Sequence, residues 1–186
     1  PSSVVSMEDG KVVREIDLGK SIPQLEKPED FIWIGLHGTD DGALKKIQDH
    51  FCLHPLAVED ALDPRHLPKL HVYGDHLFLV IRTLNLEHDH IGYGNTAIFV
   101  GKQFVITVRH GSDRTHSPLR AQLETTPWLL KHVSDYVLHA IINFVVDGYF
   151  PIIDSLEEEI LAIEDRAFEM FLSRNETARL FNRRRE

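Results

Sequence analysis

Short apolar runs separated by turn residues fill the first hundred positions of this chain, and helical spacing takes over towards its end. Val4-Val5 and the β-branched run at 12–16 flank Glu8-Asp9-Gly10-Lys11, and Asp-Gly between such runs predicts a hairpin. Residues 21–30, with Pro23 and Pro28, read as a connector. Phe31-Ile32-Trp33-Ile34-Gly35-Leu36 reads as a buried strand. Thr39 or Asp40 can cap a helix to about Phe51. A second short helix starts at His54-Pro55, where proline suits the first turn, and Asp63-Pro64 ends it. Strands are expected at 77–84, 96–100 and 104–108, the last two joined by the tight turn Gly101-Lys102-Gln103. Ser117-Pro118 opens a helix through Leu123. A long helical segment runs from Ser134 to about Leu172. Unbroken, it would span about 58 Å, with Pro151 as its kink. Ile153, Leu156, Ile160, Ile163, Ala167 and Met170 form a narrow seam suited to another helix, and Asn175 is positioned to cap a returning helix. The pattern predicts an α/β layer domain, residues 1–133, followed by a long C-terminal helical hairpin, residues 134–186, packed on the same domain.

Composition narrows the function. Apolar residues make up 42% and charged residues 26%, enough for a real core. A net charge of −9 argues against nucleic-acid binding, which needs a basic face. It fits cation binding or plain solubility. The single cysteine, Cys52, excludes an internal disulfide framework and points to a reducing compartment. The longest apolar stretch, 136–146, is interrupted by His139 and Asn143, so no membrane crossing is expected within these residues. Both ends read as cuts. The chain starts at Pro1 without a methionine and ends in mid-helix at Arg183-Arg184-Arg185-Glu186.

Three features carry candidate chemistry. Glu59 and Asp60 are adjacent on a helix, about 100° apart, so both cannot face one core. A hard cation such as Mg²⁺ keeps much of its water and needs only one or two carboxylates from a protein. The carboxylates of Asp154, Glu157, Glu158, Glu159, Glu164, Asp165 and Glu169 surround one cation, Arg166, and concentrate negative field on one helix. Their bland reading is a solvated face. The histidines invite a zinc reading. His50 and His54 flank Cys52, but the proline at 55 makes two helices meet there and spoils a single-face pair. His88-Asp89-His90 falls in a turn. No phosphate loop, dinucleotide fingerprint, Gly-x-Ser-x-Gly or His-Glu-x-x-His occurs, and Ser112, Asp113 and Ser117 near His110 and His116 do not make a triad. The chain reads as a non-enzyme.

The stretch Phe-Cys-Leu-His-Pro-Leu-Ala-Val-Glu-Asp-Ala-Leu-Asp-Pro-Arg-His-Leu-Pro-Lys, residues 51–69, resembles the signature of the CorA family of divalent-cation transporters. Tyr73 and Asp75-His76-Leu77-Phe78-Leu79-Val80 follow at the family's spacing. Phe104-Val105-Ile106-Thr107-Val108, Ser117-Pro118-Leu119-Arg120, Asp135-Tyr136-Val137-Leu138 and Val146-Asp147-Gly148-Tyr149-Phe150-Pro151 continue in order to the end. The resemblance implies a mixed β-sheet sandwiched between helical layers with a helical hairpin. It also implies a stalk helix and transmembrane helices beyond these residues.

The same resemblance implies a function: the cytoplasmic, metal-sensing domain of a Mg²⁺ or Co²⁺ transporter at the inner membrane. Such proteins are pentamers, and divalent ions between protomers favour the closed pore. This part alone is expected to be a monomer or a non-native oligomer, and its membrane contact comes only through the absent helices. By position, Asp60 matches the family's inter-protomer ligand, with Glu59 beside it. Asp147 is a candidate for a second site, weakened because Asn143 stands where relatives often carry an aspartate. The reading requires Asp60 to face another protomer. A structure in which a lysine or arginine of its own chain pairs with it counts against the site. The alternatives are a ZntB-like zinc transporter domain, a soluble metal-dependent hydrolase built from the histidines, and an acidic interaction module.

Overall fold

The computed structural model describes residues 3–8, 11–15, 22, 25, 31–38, 41–87, 90–111, 119 and 133–183. Two units follow one another, Pro1–Gly148 and Tyr149–Glu186.

A mixed sheet organises the first unit. Its strands are β1 (Ser3–Glu8), β2 (Lys11–Glu15), β3 (Phe31–His37), β4 (Lys69–Tyr73), β5 (His76–Glu87), β6 (His90–Val100) and β7 (Phe104–His110). The order is β2-β1-β3-β7-β6-β5-β4. Only β3 and β7 run parallel, with Ile34 opposite Ile106; every other pair is antiparallel. The Asp-Gly hairpin joins β1 to β2 as expected. At the β6–β7 turn Gly101 donates to the Phe104 carbonyl at 2.9 Å. A Cβ on Gly101 would fall 2.3 Å from the Phe104 ring, so the turn needs glycine there.

Both faces of the central strands are apolar, which explains their near-continuous hydrophobic sequences. Ile32, Ile34, Leu36, Phe78, Val80, Ala97, Phe99, Ile106 and Val108 point to one face. There they meet Leu44 and Ile47 of α1 (Asp41–Phe51) and Ala57, Val58 and Ala61 of α2 (Pro55–Leu62). Phe31, Trp33, Ile98, Val100 and Val105 point to the other face. They meet Val137 and Ile141 of α3 (Val133–Asp147) and Leu119. The result is a mixed sheet between helical layers. Thr107 sits fully buried in the second face. The Trp33 indole N–H donates to its hydroxyl, which donates to the Ile34 carbonyl, each at 3.4 Å.

The second unit contains α4 (Phe150–Arg183). Two expectations change here. The long helical segment breaks at Gly148-Tyr149, not at Pro151, which sits in the first turn of α4, where its missing N–H costs nothing. Asn175 lies inside α4, which runs on to Arg183, so no returning helix starts there. The two compact units divide after Gly148, and α3 buries its apolar stripe on the sheet. The stretch Ser134–Arg166 is long and apolar enough to cross a membrane by length and composition only. In this fold its first part, α3, is a core helix. The cap at Thr39 or Asp40, the helix from Ser117 apart from buried, helical Leu119, and His88-Asp89 lie outside the described residues.

Candidate metal site

The signature residues form the junction between α2 and the edge strand β4. α1 ends at Phe51, and Cys52 turns the chain with φ +52°, a left-handed value. His54 then caps α2, its ring accepting from the Leu56 N–H at 3.3 Å, and Pro55 begins the helix. Two helices thus meet between His50 and His54. α2 buries Ala57, Val58 and Ala61 and leaves Leu56 and Glu59 exposed; Asp60 is half-buried. The adjacent carboxylates diverge, as the helical angle requires.

Asp60 is not a vacant ligand. Lys69, the first residue of β4, donates from Nζ to Oδ2 at 2.5 Å. The His66 Nε2 lies 3.2 Å from Oδ1. Oδ2 therefore accepts from a cation of the same chain, and a histidine of the same chain stands beside Oδ1. The Asp60 hydrogen bond, joined by the Asp60 charge, raises the Lys69 pKa above 10.5 against an opposing effect of desolvation. The condition set against Asp60 as an inter-protomer ligand is met by this pairing.

A buried polar framework holds that arrangement. Asn95 on β6 is 3% exposed, so its amide must find partners inside. It donates to the carbonyls of Pro64 and His66 at 3.0 and 2.8 Å. The Arg65 N–H donates to Asp63 Oδ1 at 2.9 Å, closing the turn after α2. Buried His110 on β7 donates from Nε2 to the Ala61 carbonyl at 2.7 Å, which fixes its tautomer and anchors α2 to the sheet. The rings of His54 and Tyr73 stack at 4.3 Å. α2 and β4 are thus fastened at two points, His54 on Tyr73 and Asp60 on Lys69. Sequence reasoning met Lys69 and His66 only as part of the signature and His110 only as a rejected triad member, gave none of them a role beside Asp60, and passed over Asn95. The only signal was the Pro68-Lys69 pair at the end of the signature.

The other candidates stay apart. Asp147 is exposed at the end of α3; one turn before it, Asn143 hydrogen-bonds His139 at 3.3 Å and adds no second carboxylate. The described carboxylates of α4, from Asp154 to Asp165, are exposed. A cavity of about 480 Å³ beside α1 brings His50, Asp75 and His76 to its wall. Among the described residues, however, no three His, Cys, Asp or Glu are grouped to hold a metal. The hydrolase alternative has no assembled centre among them.

The model of the CorA-like Mg²⁺ transporter protein family matches residues 28–186. The chain belongs to the CorA family. YfjQ of Bacillus subtilis, named for metal-ion transport, is 31% identical over 83% of this chain and 49% of its own length. The cobalt/magnesium transport protein CorA of Thermotoga maritima is 22% identical over 88% of this chain and 48% of its own length. This CorA chain therefore spans about half the length of the curated relatives it matches. The soluble domain of CorA from Methanocaldococcus jannaschii superposes with a TM-score of 0.65 at 19% identity, covering 89% of this chain and 64% of that one. The ZntB cytoplasmic domain from Vibrio parahaemolyticus gives 0.56 at 16% identity, covering 72% and 59%. Both likenesses show the fold.

Proposed function

We propose that this chain is the cytoplasmic regulatory domain of a CorA-type transporter of Mg²⁺ and Co²⁺, working as part of a homo-oligomeric, pentameric protein in the inner membrane. The observation that carries the reading is the family match across residues 28–186 together with the three-layer fold. Relatives named for ion transport fit a domain without catalysis. The cation itself is the cargo of the complete protein, not a resident cofactor of this domain.

The finer reading is that divalent ions bridge α2 of one protomer to its neighbour and favour a closed pore. Glu59 and Asp60 are its residues, and Asp147 a lesser one. Exposed Glu59 on α2 supports it. The donor set does not fit as it stands, because Lys69 already pairs with Asp60 and His66 stands against its other oxygen. Glu59 alone offers a hard cation one accessible carboxylate, so the remaining oxygens must come from water or another protomer.

Reconstitution of the full-length protein in liposomes tests the transport reading. Influx of Mg²⁺ or Co²⁺ down a gradient is expected. Flux of Zn²⁺ alone would move the protein to the ZntB-like alternative, whose support is a likeness of fold. No divalent flux would end the proposal.

A further inference from the structure

The family's cation position and this geometry disagree, and the disagreement has a specific form. Each Asp60 oxygen already has a neighbour in its own chain: Lys69 donates to Oδ2, and the His66 Nε2 lies 3.2 Å from Oδ1. The carboxylate side chain is 20% exposed, so the pair is partly sheltered from solvent without being sealed off. The partners are fixed in place. Lys69 is bound into the β4–β5 ladder opposite Val80, and the backbone carrying His66 is clamped by buried Asn95. Asp60 also lies in the last turn of α2, where the helix dipole disfavours negative charge and a lysine offsets it.

We infer that Lys69 is the resident cation of position 60, an internal ammonium that a divalent ion must displace before it can reach this carboxylate. The inference rests on the proposed regulatory reading and changes how its site operates. A protomer without metal then carries no uncompensated charge at position 60. Repulsion between neighbouring protomers cannot arise from this residue while the pair is closed. The first role of Asp60 is to fasten β4 and the turn before it to α2. Glu59 is left as the accessible carboxylate of the two.

Calorimetric titration with MgCl₂ of the protein and its variants decides the matter. Lys69→Met is expected to bind Mg²⁺ about three- to tenfold more tightly, because it removes both a competing partner and a like charge. The gain should vanish in the double variant Lys69→Met/Asp60→Asn, and Lys69→Arg, which keeps the pair, should titrate like the parent. Equal affinities for Lys69→Met and the parent, or a gain that survives Asp60→Asn, overturn the inference. The single variant Asp60→Asn gives an answer even if Lys69→Met does not fold. It should leave the parent's Mg²⁺ affinity within about twofold, and a loss of about tenfold or more would show the carboxylate already free to bind. None of these outcomes depends on ion flux, so failure of the transport assay is a separate result.

Discussion

The centre of the sheet and its β4 edge obey different rules. At the centre, β3 and β7 are buried on both faces, and every apolar side chain there has one place to go. At the edge, β4 has a neighbour on one side only. Leu70 and Val72, opposite Leu79 and Leu77, remain 64% exposed on the face that carries α3. Apolar packing therefore does little to hold β4. Beyond its backbone ladder with β5, its attachment comes from Asp60 on Lys69, His54 on Tyr73, and a turn clamped by Asn95. The same residues lie in the signature stretch. Residues that resemble a cation site also build the local structure, so motif alone cannot separate the two roles.

Mutations at the centre should have the largest effect. Phe99→Ala removes a ring that is 2% exposed and 4.9 Å from the ring of Phe78. It should cost about 3–5 kcal/mol, read as a lower urea midpoint at unchanged slope. A cost under about 1 kcal/mol would mean that the centre is not the tightly packed half of the comparison. Next comes the polar clamp. Asn95→Ala strips two carbonyls of their donor and should cost about 1–3 kcal/mol. Amide exchange should speed up across residues 63–69 more than across β7. Uniform acceleration would show that the edge is not a separate unit of stability.

The smallest effect is the titration of the pair at position 60. The folded Lys69 pKa is raised, so its contribution is complete below about 10.5 and is lost as pH rises through the folded value. Stability should therefore fall slightly more steeply in the parent than in Lys69→Met between about pH 10 and 12. The difference stays small because the pair is partly exposed. A steeper fall in Lys69→Met would reverse the sign and remove Lys69 as the partner of Asp60.

Most of the fold was legible in the amino-acid order. The Asp-Gly hairpin, the strand at 31–36, the paired helices meeting at Cys52 and the turn at Gly101 all follow from local rules of turn chemistry and periodicity. The helix break at Gly148 and the unbroken run of α4 through Asn175 did not follow. Pro151 and Asn175 are local signals with two readings each, and a first-turn proline or a mid-helix asparagine is tolerated. β4 was also missed, because five residues after a proline give too short a period to separate a strand from a connector.

By itself the sequence determined the layers, the acidic character and the resemblance that the CorA family match bears out. These are sums of local preferences and of burial, which periodicity records directly. Tertiary structure alone decided what Asp60 touches. Its partners stand six and nine residues away across a turn, and that turn is held by an asparagine about thirty positions further along. Ion pairing depends on distances of a few ångströms, and no pattern along the chain encodes them until the sheet has brought β6 beneath the loop.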